Sequence, residues 1–344
     1  MKTWELQAKP GFDALTRGDR PSPGAGAREV KVRVKAVSLN YRDVLIARGA
    51  EKALKAPRVP TSDGAGEVIE VGAGVTRWQV GDRVMANFFP HWVDGELTEA
   101  HHASALGGFG ADGMLCEEVV LPEHSWVRMP VGYTFEQAAA LPCAGLTAWH
   151  ALFEVTSLRP GETVLLQGSG GVSVFALQLA KATGARVLMT SSSAAKAARL
   201  RELGADEVID YRAELAWGER AKALTGGRGV DLVVDVGGQA TFDQSSAALR
   251  YGGTISLLGV LTGGRGEVSL NAVFQRRQTV RGVYVGSVSS FERFVAAIDR
   301  TGIRPVVDRV FGFDDARAAW EHLASAQHLG KVVVTGAAGG TAPR

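Results

Sequence analysis

Two patterns of hydrophobic and polar positions divide the chain. In EVKVRVKAV (29–37), Val30, Val32 and Val34 alternate with charged residues, which predicts a half-exposed antiparallel strand. Short β runs bounded by glycine continue to about residue 128. From residue 134 onward, strands that are apolar along their whole length, such as TVLLQG (163–168), alternate with amphipathic helices. This second pattern predicts a parallel sheet covered by helices on both faces.

The predicted elements place the chain in the α/β class, with two domains. We expect an irregular surface lobe over 90–112 and a helical run over 134–155. Further helices are predicted at 171–184, 193–204, 241–250, 291–300 and 314–327, and further strands at 185–190, 207–210, 230–238, 254–260, 279–286 and 331–336. A β-rich domain (1–128) is thus followed by a doubly wound, nucleotide-binding type of domain (129–287) and by a segment (288–344) that completes the first domain.

Composition narrows the classes of function. The 344 residues are 46% hydrophobic and 22% charged, as in globular proteins, and the formal net charge of +2 favours neither nucleic acid nor an anionic membrane. Two cysteines are too few for a disulfide framework, and the N-terminal segment turns polar too soon for a secretory signal. Because no apolar run is long enough for a membrane helix, we expect a soluble cytoplasmic protein.

A glycine turn stands between an apolar strand and a helix, at Gly168, Gly170 and Gly171. Such a turn lets a pyrophosphate approach the free N–H groups and the positive dipole end of the helix. Ser173 takes the place where a third glycine is usual, and the role of that glycine is close helix–strand packing, which a small serine also allows. We therefore predict a dinucleotide site here, against the alternative of a merely tight turn.

The end of the next strand indicates which dinucleotide binds. An NAD site needs an acidic residue about 20 residues past the first glycine, to bind the ribose 2′-hydroxyl. This chain has Ser191, Ser192, Ser193 and Lys196 in that region, and no acid. Hydroxyl groups and a lysine suit the 2′-phosphate of NADP(H), which an acid would repel. Alternatively, a serine caps the next helix and Lys196 is solvated. Helix capping by a serine is also compatible with a 2′-phosphate site.

With these residues, the chain resembles the medium-chain dehydrogenase/reductase superfamily, and within it the zinc-free, quinone oxidoreductase-like branch. The resemblance covers nearly the whole chain and rests on SLNYRD (38–43), SDGAGEVIEVGAGV (62–75), VGDRV (80–84), LPCAGLTAW (141–149), GETVLLQGSGGVS (161–173), LGADEVIDY (203–211) and GKVVVTG (330–336). It implies a GroES-like catalytic domain, a Rossmann domain, an active site in the cleft between them, and commonly a homodimer that pairs the strand VRGVYVG.

The resemblance also indicates that no metal is bound. Zinc-containing relatives have a cysteine at the position of Asn40 and a His–Glu pair at Ser62–Asp63, and only Cys143 matches a catalytic ligand. One thiol without a histidine does not make the three-ligand site of a catalytic zinc. His91, His101 and His102 lie in the lobe that carries the structural zinc of those relatives, but it has no cysteines here, and we interpret these histidines as surface residues.

Without a Lewis acid, the chemistry that fits best is hydride transfer to an electron-poor acceptor, either a quinone or an α,β-unsaturated carbonyl compound. Asn40, Tyr41 and Asp43 are the catalytic candidates: Asn40 as an amide donor, Tyr41 as a proton donor or a core aromatic, and Asp43 as an acid or, preferably, a group that fixes the loop. Many quinone reductases of this branch carry a tyrosine at the position of Leu45, which weakens the expectation of quinone specificity.

The resemblance carries cofactor contacts over by motif. The residues of the turn and pyrophosphate site are Gly168, Ser169, Gly170, Gly171, Val172 and Ser173; those near the 2′-phosphate are Ser191, Ser192, Lys196 and Tyr211; those of the groove are Thr147, Gly237, Leu258, Gly259, Val260 and Lys331. An exposed charge is the alternative for Lys331, and a small buried core residue is the preferred interpretation of Cys143. Two other functions stay open: a zinc-free alcohol or ketone oxidoreductase, and a non-enzymatic NADPH-binding protein.

Overall fold

The computed structural model describes residues 1–49, 57–108 and 110–337. The chain folds into two compact units. Unit 1 holds Met1–Leu146 with the described part of Val285–Arg344, and unit 2 holds Thr147–Tyr284. The functional domain boundaries at residues 128 and 287 stay a prediction. Within the described ranges, no helix has both the length and the apolar character needed to cross a membrane.

The strands and helices are numbered in chain order. The strands are β1 Lys2–Leu6, β2 Leu15–Asp19, β3 Glu29–Leu39, β4 Asp63–Val71, β5 Arg83–Ala86, β6 Glu118–Pro122, β7 Trp126–Arg128, β8 Thr163–Gln167, β9 Arg186–Ser191, β10 Glu207–Asp210, β11 Val230–Asp235, β12 Leu249–Leu257, β13 Thr279–Gly282, β14 Val307–Phe311 and β15 Lys331–Thr335. The helices are α1 Tyr41–Ala47, α2 Glu99–Ala103, α3 Phe135–Ala139, α4 Leu146–Trp149, α5 Gly171–Thr183, α6 Ala194–Glu202, α7 Trp217–Leu224, α8 Gln239–Ala248, α9 Leu270–Gln275, α10 Val288–Thr301 and α11 Ala316–Ala324.

Unit 1 is built on a mostly antiparallel sheet with the strand order β14-β15-β3-β4-β5-β7, and β6 also pairs with β3. The C-terminal tail supplies β14 and β15, which extend the sheet begun by the first part of the chain. In the register of β3, Leu39 lies opposite Val332 of β15, and Ser38 lies opposite Asp63 of β4. The end of β3 and the starts of β4 and β15 therefore meet at one edge of the sheet.

Strand β3 is more buried than its alternating pattern suggests. Arg33 is exposed, but residues 36–39 are all buried. Lys31 is also buried, and its ammonium lies 2.9 Å from a carboxylate oxygen of Glu118 on β6. The prediction of a half-exposed strand was therefore wrong for the C-terminal half of β3.

Unit 2 contains a parallel sheet with the strand order β10-β9-β8-β11-β12-β13. Every residue of β8 and β11 is buried, which is why most of their positions are apolar. The predicted doubly wound sheet is confirmed. In a parallel sheet all carboxyl ends lie at one edge, so the loops after β8, β9, β11 and β12 share that edge.

Several local predictions differ from the structure. The predicted helix over 134–155 is divided into α3 and α4 by wider π-helical turns at Leu141–Gly145 and His150–Glu154. Pro142 in the first of these turns has no N–H for regular helix bonding. Strand β13 ends at Gly282 and does not continue to residue 286. The lobe over 90–112 is irregular, as expected, apart from α2 and leaving aside Phe109, which lies outside the described residues.

Candidate active site

Asn40 lies at the end of β3 and immediately precedes α1, where its backbone is extended. Its backbone N–H donates to Oδ2 of Asp43 over 2.7 Å, and the N–H of Asp43 donates to the carbonyl oxygen of Asn40 over 2.9 Å. Asp43 is buried, and its desolvation raises the pKa of the carboxyl group to about 6. The carboxylate thus caps the first turn of α1, which is the loop-fixing arrangement preferred from the sequence.

Lys331, at the start of β15, reaches into the same edge of the sheet. Its ammonium donates to the carbonyl oxygen of Leu39 over 2.7 Å and to Oδ1 of Asn40 over 2.5 Å, and lies 3.8 Å from Oδ2 of Asp63. Lys331 is only 3% exposed, so its alternative interpretation as an exposed charge was wrong. In unit 1 this lysine is a partner of the Asn40 loop.

Asp63 and Ser62 complete the group, which we call the Lys331 cluster: Asn40, Ser62, Asp63 and Lys331. Ser62 Oγ donates to Oδ1 of Asp63 over 2.7 Å, and Asn40 Nδ2 lies 3.5 Å from the same Oγ. Asp63 Oδ2 accepts from the backbone N–H of Cys143 over 3.1 Å. Burial raises the pKa of the Asp63 carboxyl, although the Lys331 ammonium and the hydrogen bond from Ser62 act in the opposite direction.

Tyr41 and Cys143 border the Lys331 cluster without belonging to it. Tyr41 is the first residue of α1 and is 40% exposed, so it is not a core aromatic of unit 1. Cys143 is half-buried rather than fully buried, and desolvation raises the pKa of its thiol. Since its backbone N–H binds Asp63, Cys143 fixes the carboxylate through its main chain.

In unit 2, the glycine turn connects β8 to α5. Gly168 has φ +73°, a left-handed conformation that favours glycine, and Gly170 is the residue before the helix. A Cβ atom at Gly168 or Gly170 would meet no other atom within 4 Å, so the space beside the turn is open. Ser173 is buried, and its Oγ donates to the carbonyl oxygen of Gln167 over 2.6 Å. The other residues of the turn are partly exposed: Ser169, Gly171 and Val172.

The end of β9 lies beside the end of β10 in unit 2. Ser191 is paired with Asp210, and the N–H of Tyr211 donates to the carbonyl oxygen of Ser191 over 3.3 Å. Ser193 Oγ accepts from the N–H of Lys196 over 3.4 Å, so Ser193 caps α6. The predicted 2′-phosphate residues Ser191, Ser192, Lys196 and Tyr211 are therefore neighbours, and the structure adds the exposed acid Asp210 to this edge.

The remaining groove candidates of unit 2 divide into inner and outer positions. Gly237 is buried, and its N–H donates to Oε1 of Gln167 over 3.2 Å and to Oδ1 of Asp235 over 2.9 Å. Leu258 and Gly259 are partly exposed at the end of β12, and Val260 is 51% exposed. Thr147, in α4, is buried. Gly237 thus supports the loop from within, and the exposed edge is formed by the residues after β12.

Sequence reasoning missed a buried polar network beneath these loops. The Asp235 carboxylate accepts from Ser245 Oγ over 2.6 Å and from Thr241 Oγ1 over 2.9 Å, and Gln167 Nε2 donates to Ser245 Oγ over 2.7 Å. Gln167 and Asp235 are the last residues of β8 and β11. A polar residue at the end of an otherwise apolar strand was the signal that could have identified them.

Family profiles match both parts of the chain. Residues 26–131 match the alcohol dehydrogenase GroES-like domain, and residues 171–300 match the zinc-binding dehydrogenase domain. A zinc-type alcohol dehydrogenase-like protein of Schizosaccharomyces pombe is 42% identical, covering 94% of this chain and 96% of its own. A quinone oxidoreductase of Pseudomonas aeruginosa is 33% identical, covering 97% of this chain and 99% of its own. The chain belongs to the medium-chain dehydrogenase/reductase superfamily, in its quinone oxidoreductase-like branch.

Two further similar proteins are a reductase of a coenzyme A thioester and a quinone oxidoreductase of known structure. An acryloyl-coenzyme A reductase of Metallosphaera sedula is 32% identical to this medium-chain dehydrogenase/reductase, covering 95% of this chain and 97% of its own. The crystal structure of the Escherichia coli quinone oxidoreductase complexed with NADPH has a TM-score of 0.84 at 26% identity, covering 97% of this chain and 100% of its own. The GroES-like and Rossmann-type architecture predicted from the sequence is confirmed.

The two family profiles raise the question of zinc in this medium-chain dehydrogenase/reductase. Among residues 1–49, 57–108 and 110–337, no group of three or more His, Cys, Asp or Glu side chains is arranged to hold a metal ion. His101 and Thr98 bond to each other across the start of α2, and the rings of His91 and His124 lie 6.1 Å apart. The interpretation of the lobe histidines as surface residues stays a prediction.

Proposed function

We propose that this chain is a zinc-independent reductase that uses NADPH to reduce quinones or α,β-unsaturated carbonyl compounds. The observation that carries the proposal is the position of the Lys331 ammonium, 2.5 Å from Asn40 Oδ1 and 3.8 Å from Asp63 Oδ2. By resemblance, Asn40 and the pair Ser62–Asp63 occupy the positions of zinc ligands. A side-chain cation already lies beside the oxygen atoms of Asn40 and Asp63 at these positions.

The donor set does not fit a catalytic zinc. Zinc is bound by thiolate, imidazole and carboxylate groups, usually with three protein ligands and one open position. Here the Asn40 amide oxygen accepts from an ammonium group, and Ser62 uses its hydroxyl to bind Asp63. A dication placed beside the buried Lys331 would also be repelled by it. We therefore derive no catalytic step through a metal ion.

Three features support NADP(H) as the cofactor. The Gly168–Ser173 turn leaves open space beside the N-terminus of the 13-residue helix α5. Hydroxyl groups and Lys196 lie at the end of β9, where NAD-binding members of this fold carry an acid. The crystal structure of the Escherichia coli quinone oxidoreductase is a complex with NADPH. When bound, the cofactor supplies the hydride, and the protein supplies position and exclusion of water.

The acceptor class follows from the groups that unit 1 offers. Without a Lewis acid, negative charge that develops on an acceptor oxygen must be stabilised by hydrogen-bond donors, which suits an acceptor that spreads this charge over a conjugated system. In an enone, the hydride forms a C–H bond at the β-carbon, and the electron pair of the C=C bond moves to give an enolate. We assign the Asn40 amide N–H to the enolate oxygen and the Tyr41 hydroxyl to protonation at the α-carbon. The names of the quinone and acryloyl-coenzyme A reductases support this acceptor class.

The test is a comparison of acceptors with one enzyme preparation. Oxidation of NADPH is measured by absorbance with a quinone, an enone, an enoyl thioester and a saturated ketone, in the presence and absence of a chelator. The proposal expects turnover with one or more of the first three, little with the saturated ketone, and no loss with chelator. Preference for the ketone would support the alcohol or ketone oxidoreductase, and tight NADPH binding without turnover would support a non-enzymatic role. Elemental analysis that finds stoichiometric zinc would contradict zinc independence.

We also propose that the protein is a cytoplasmic homodimer. The homodimer is supported by β13, which among the described residues pairs only with β12 and has all four of its own residues exposed. An unpaired edge strand is a template for pairing with another copy.

A further inference from the structure

The Lys331 cluster determines the orientation of the Asn40 amide. A lysine ammonium has hydrogen-bond donors and no acceptor, so the Asn40 atom 2.5 Å away must be the oxygen. The amide nitrogen then points away from Lys331, with one N–H toward Ser62 Oγ at 3.5 Å. In the part of the chain that the structure describes, the Asn40 side chain also bonds to Asp63, and its contact with Ser62 at 3.5 Å is long for a hydrogen bond. An acceptor molecule would therefore replace this weak contact with Ser62.

The other members of the cluster hold Lys331 in this position. Its second hydrogen bond goes to the backbone carbonyl of Leu39, which cannot rotate away because Leu39 pairs with Val332 in the sheet. Asp63 supplies the opposite charge, and its two oxygens are fixed by Ser62 and by the backbone of Cys143. The ammonium is therefore held by one backbone and two side-chain groups, and Lys331 itself is buried.

The charge of Lys331 acts on the Asn40 amide. Asn40 is half-buried, whereas the Lys331 ammonium that binds its oxygen is buried. An ammonium that binds the amide oxygen polarises the amide, and polarisation makes its N–H groups stronger donors. A donor that is already oriented and polarised stabilises negative charge on an acceptor without reorganisation.

We propose that Lys331 is a positioning residue for the reduction reaction: it fixes and polarises the Asn40 amide, so that the N–H beside Ser62 is presented to the oxygen of the acceptor. This inference rests on the proposed function for the role of Asn40. It assigns Lys331 to the acceptor side of the reaction, whereas the sequence resemblance placed it in the cofactor groove.

Four variants test the proposal: Lys331→Met, Lys331→Arg, Asn40→Ala and the double variant Lys331→Met/Asn40→Ala. We expect Lys331→Met to lower kcat by about 10- to 100-fold, as for a displaced catalytic donor, while the Kd of NADPH changes less than about twofold. Lys331→Arg keeps the charge and should recover part of the rate. Because Lys331 acts through Asn40, the double variant should be no slower than Asn40→Ala alone. Lys181→Met, which removes an exposed lysine of unit 2, is the control and should leave kcat unchanged.

Removing Lys331 leaves the buried Asp63 without its countercharge, so Lys331→Met is at risk of failing to fold. The variant Lys331→Met/Asp63→Asn removes both charges and keeps a side chain that can bind Ser62. It should fold, as judged by its thermal unfolding, and should show the same loss in kcat. A loss confined to NADPH affinity would overturn the proposal in favour of a cofactor role. Additive losses in the double variant, or an unchanged kcat, would also overturn it.

A readout without turnover separates this inference from the proposed function. The side-chain amide of Asn40 is identified in a nitrogen–proton NMR spectrum of the full chain by its loss in Asn40→Ala. In the wild-type protein its two protons should be well separated in shift and slow to exchange, and Lys331→Met should abolish both properties. If the wild-type enzyme reduces none of the acceptors but this signature is found, the proposed function fails while the placement of the amide stands. An unaltered signature in Lys331→Met refutes the placement itself.

Discussion

Ser173 Oγ donates a hydrogen bond to the carbonyl oxygen of Gln167, joining the first turn of α5 to the last residue of β8. The serine stands where a glycine is usual in this kind of turn, and it is buried. The substitution therefore does more than fit: it adds a bond that holds the helix against the strand. Gln167 in turn binds the N–H groups of Val236 and Gly237, so the loops after β8 and β11 are connected through one residue.

Variants at Ser173 test this connection. Ser173→Ala should lower the free energy of unfolding by about 1 kcal/mol, the usual net value of one hydrogen bond, and leave NADPH affinity nearly unchanged. Ser173→Val adds volume where helix and strand are in contact, and should weaken NADPH binding as well as stability. Ser104→Ala, which loses a similar side-chain-to-carbonyl bond in unit 1, is the control and should not alter NADPH binding. If Ser173→Val binds NADPH as tightly as wild type, close packing at this position is not required.

Lys196 tests the choice of cofactor. Lys196→Ala should weaken NADPH binding by about 10-fold or more, because a hydrogen bond to a charged group is lost, and should change NADH binding little. Calorimetric titration of both cofactors measures this. Lys181→Ala, at an exposed lysine paired with Asp206, controls for the general effect of removing a positive charge from unit 2. Equal losses for the two cofactors would refute the 2′-phosphate site.

The exposed Asp210 gives a second test of the same edge. It is paired with Ser191 and is a negative charge next to the proposed phosphate site. Asp210→Asn should therefore strengthen NADPH binding relative to NADH. A loss of NADH binding with unchanged NADPH binding would instead indicate that Asp210 binds the ribose hydroxyl groups, and an unchanged ratio of the two affinities would place Asp210 outside the cofactor site.

Strand patterns made the sheet of unit 2 predictable from the sequence. Strands buried on both faces must be apolar throughout, and the residues after parallel strands must share an edge, so Gly168, Ser191 and Leu258 could be assigned together. Helix α9 was missed because it has only 6 residues, none of them buried, although Leu270, Val273 and Phe274 stand at helical spacing. The pattern of apolar residues thus predicts buried helices and strands better than exposed ones.

The Lys331 cluster could not be predicted in this way. Lys331 and Asn40 are 291 residues apart in sequence, and only the antiparallel register of β15 against β3 brings them together. A lysine at the start of a strand is usually solvated, so nothing in the local sequence indicates burial. The carboxylate that compensates it, Asp63, comes from a third strand.

Tyr41 tests the proposed proton donor. Tyr41→Phe should lower kcat by about 100-fold, at the lower end of the range for general acid catalysis because water can reach the partly exposed position. The Kd of NADPH should stay within about twofold of wild type. Tyr251→Phe, at an exposed tyrosine of unit 2 that is not among the site candidates, is the control for kcat. An unchanged rate in Tyr41→Phe would assign protonation to water or to another group.

The buried carboxyl group of Asp43 should make the free energy of unfolding depend on pH. Burial raises the pKa of this carboxyl from 3.8 to about 6, so the folded chain holds a proton that the unfolded chain releases. Stability from this group is therefore present below pH 4 and is lost as the pH rises toward 6, by an amount on the order of 2–3 kcal/mol. Asp43→Asn can still accept from the N–H of Asn40 but does not ionise. Urea unfolding between pH 4 and 7 should show a smaller decline for the variant than for wild type; parallel curves would place the titration elsewhere.

The edge strand β13 tests the proposed homodimer. Val280 on this strand is 38% exposed and pairs with Ile255 of β12, so its other side is available to a second copy. Val280→Lys places a charge within that contact and should convert the dimer to a species of half the mass, measured by light scattering over a range of concentrations. Val310→Lys, on the edge strand β14 of unit 1 with 46% exposure, is the control and should leave the mass unchanged. In a dimer paired through β13, Val280→Lys would bury a charge without a partner between the two copies, which is costly. If both variants have the wild-type mass, β13 is therefore not the contact between copies.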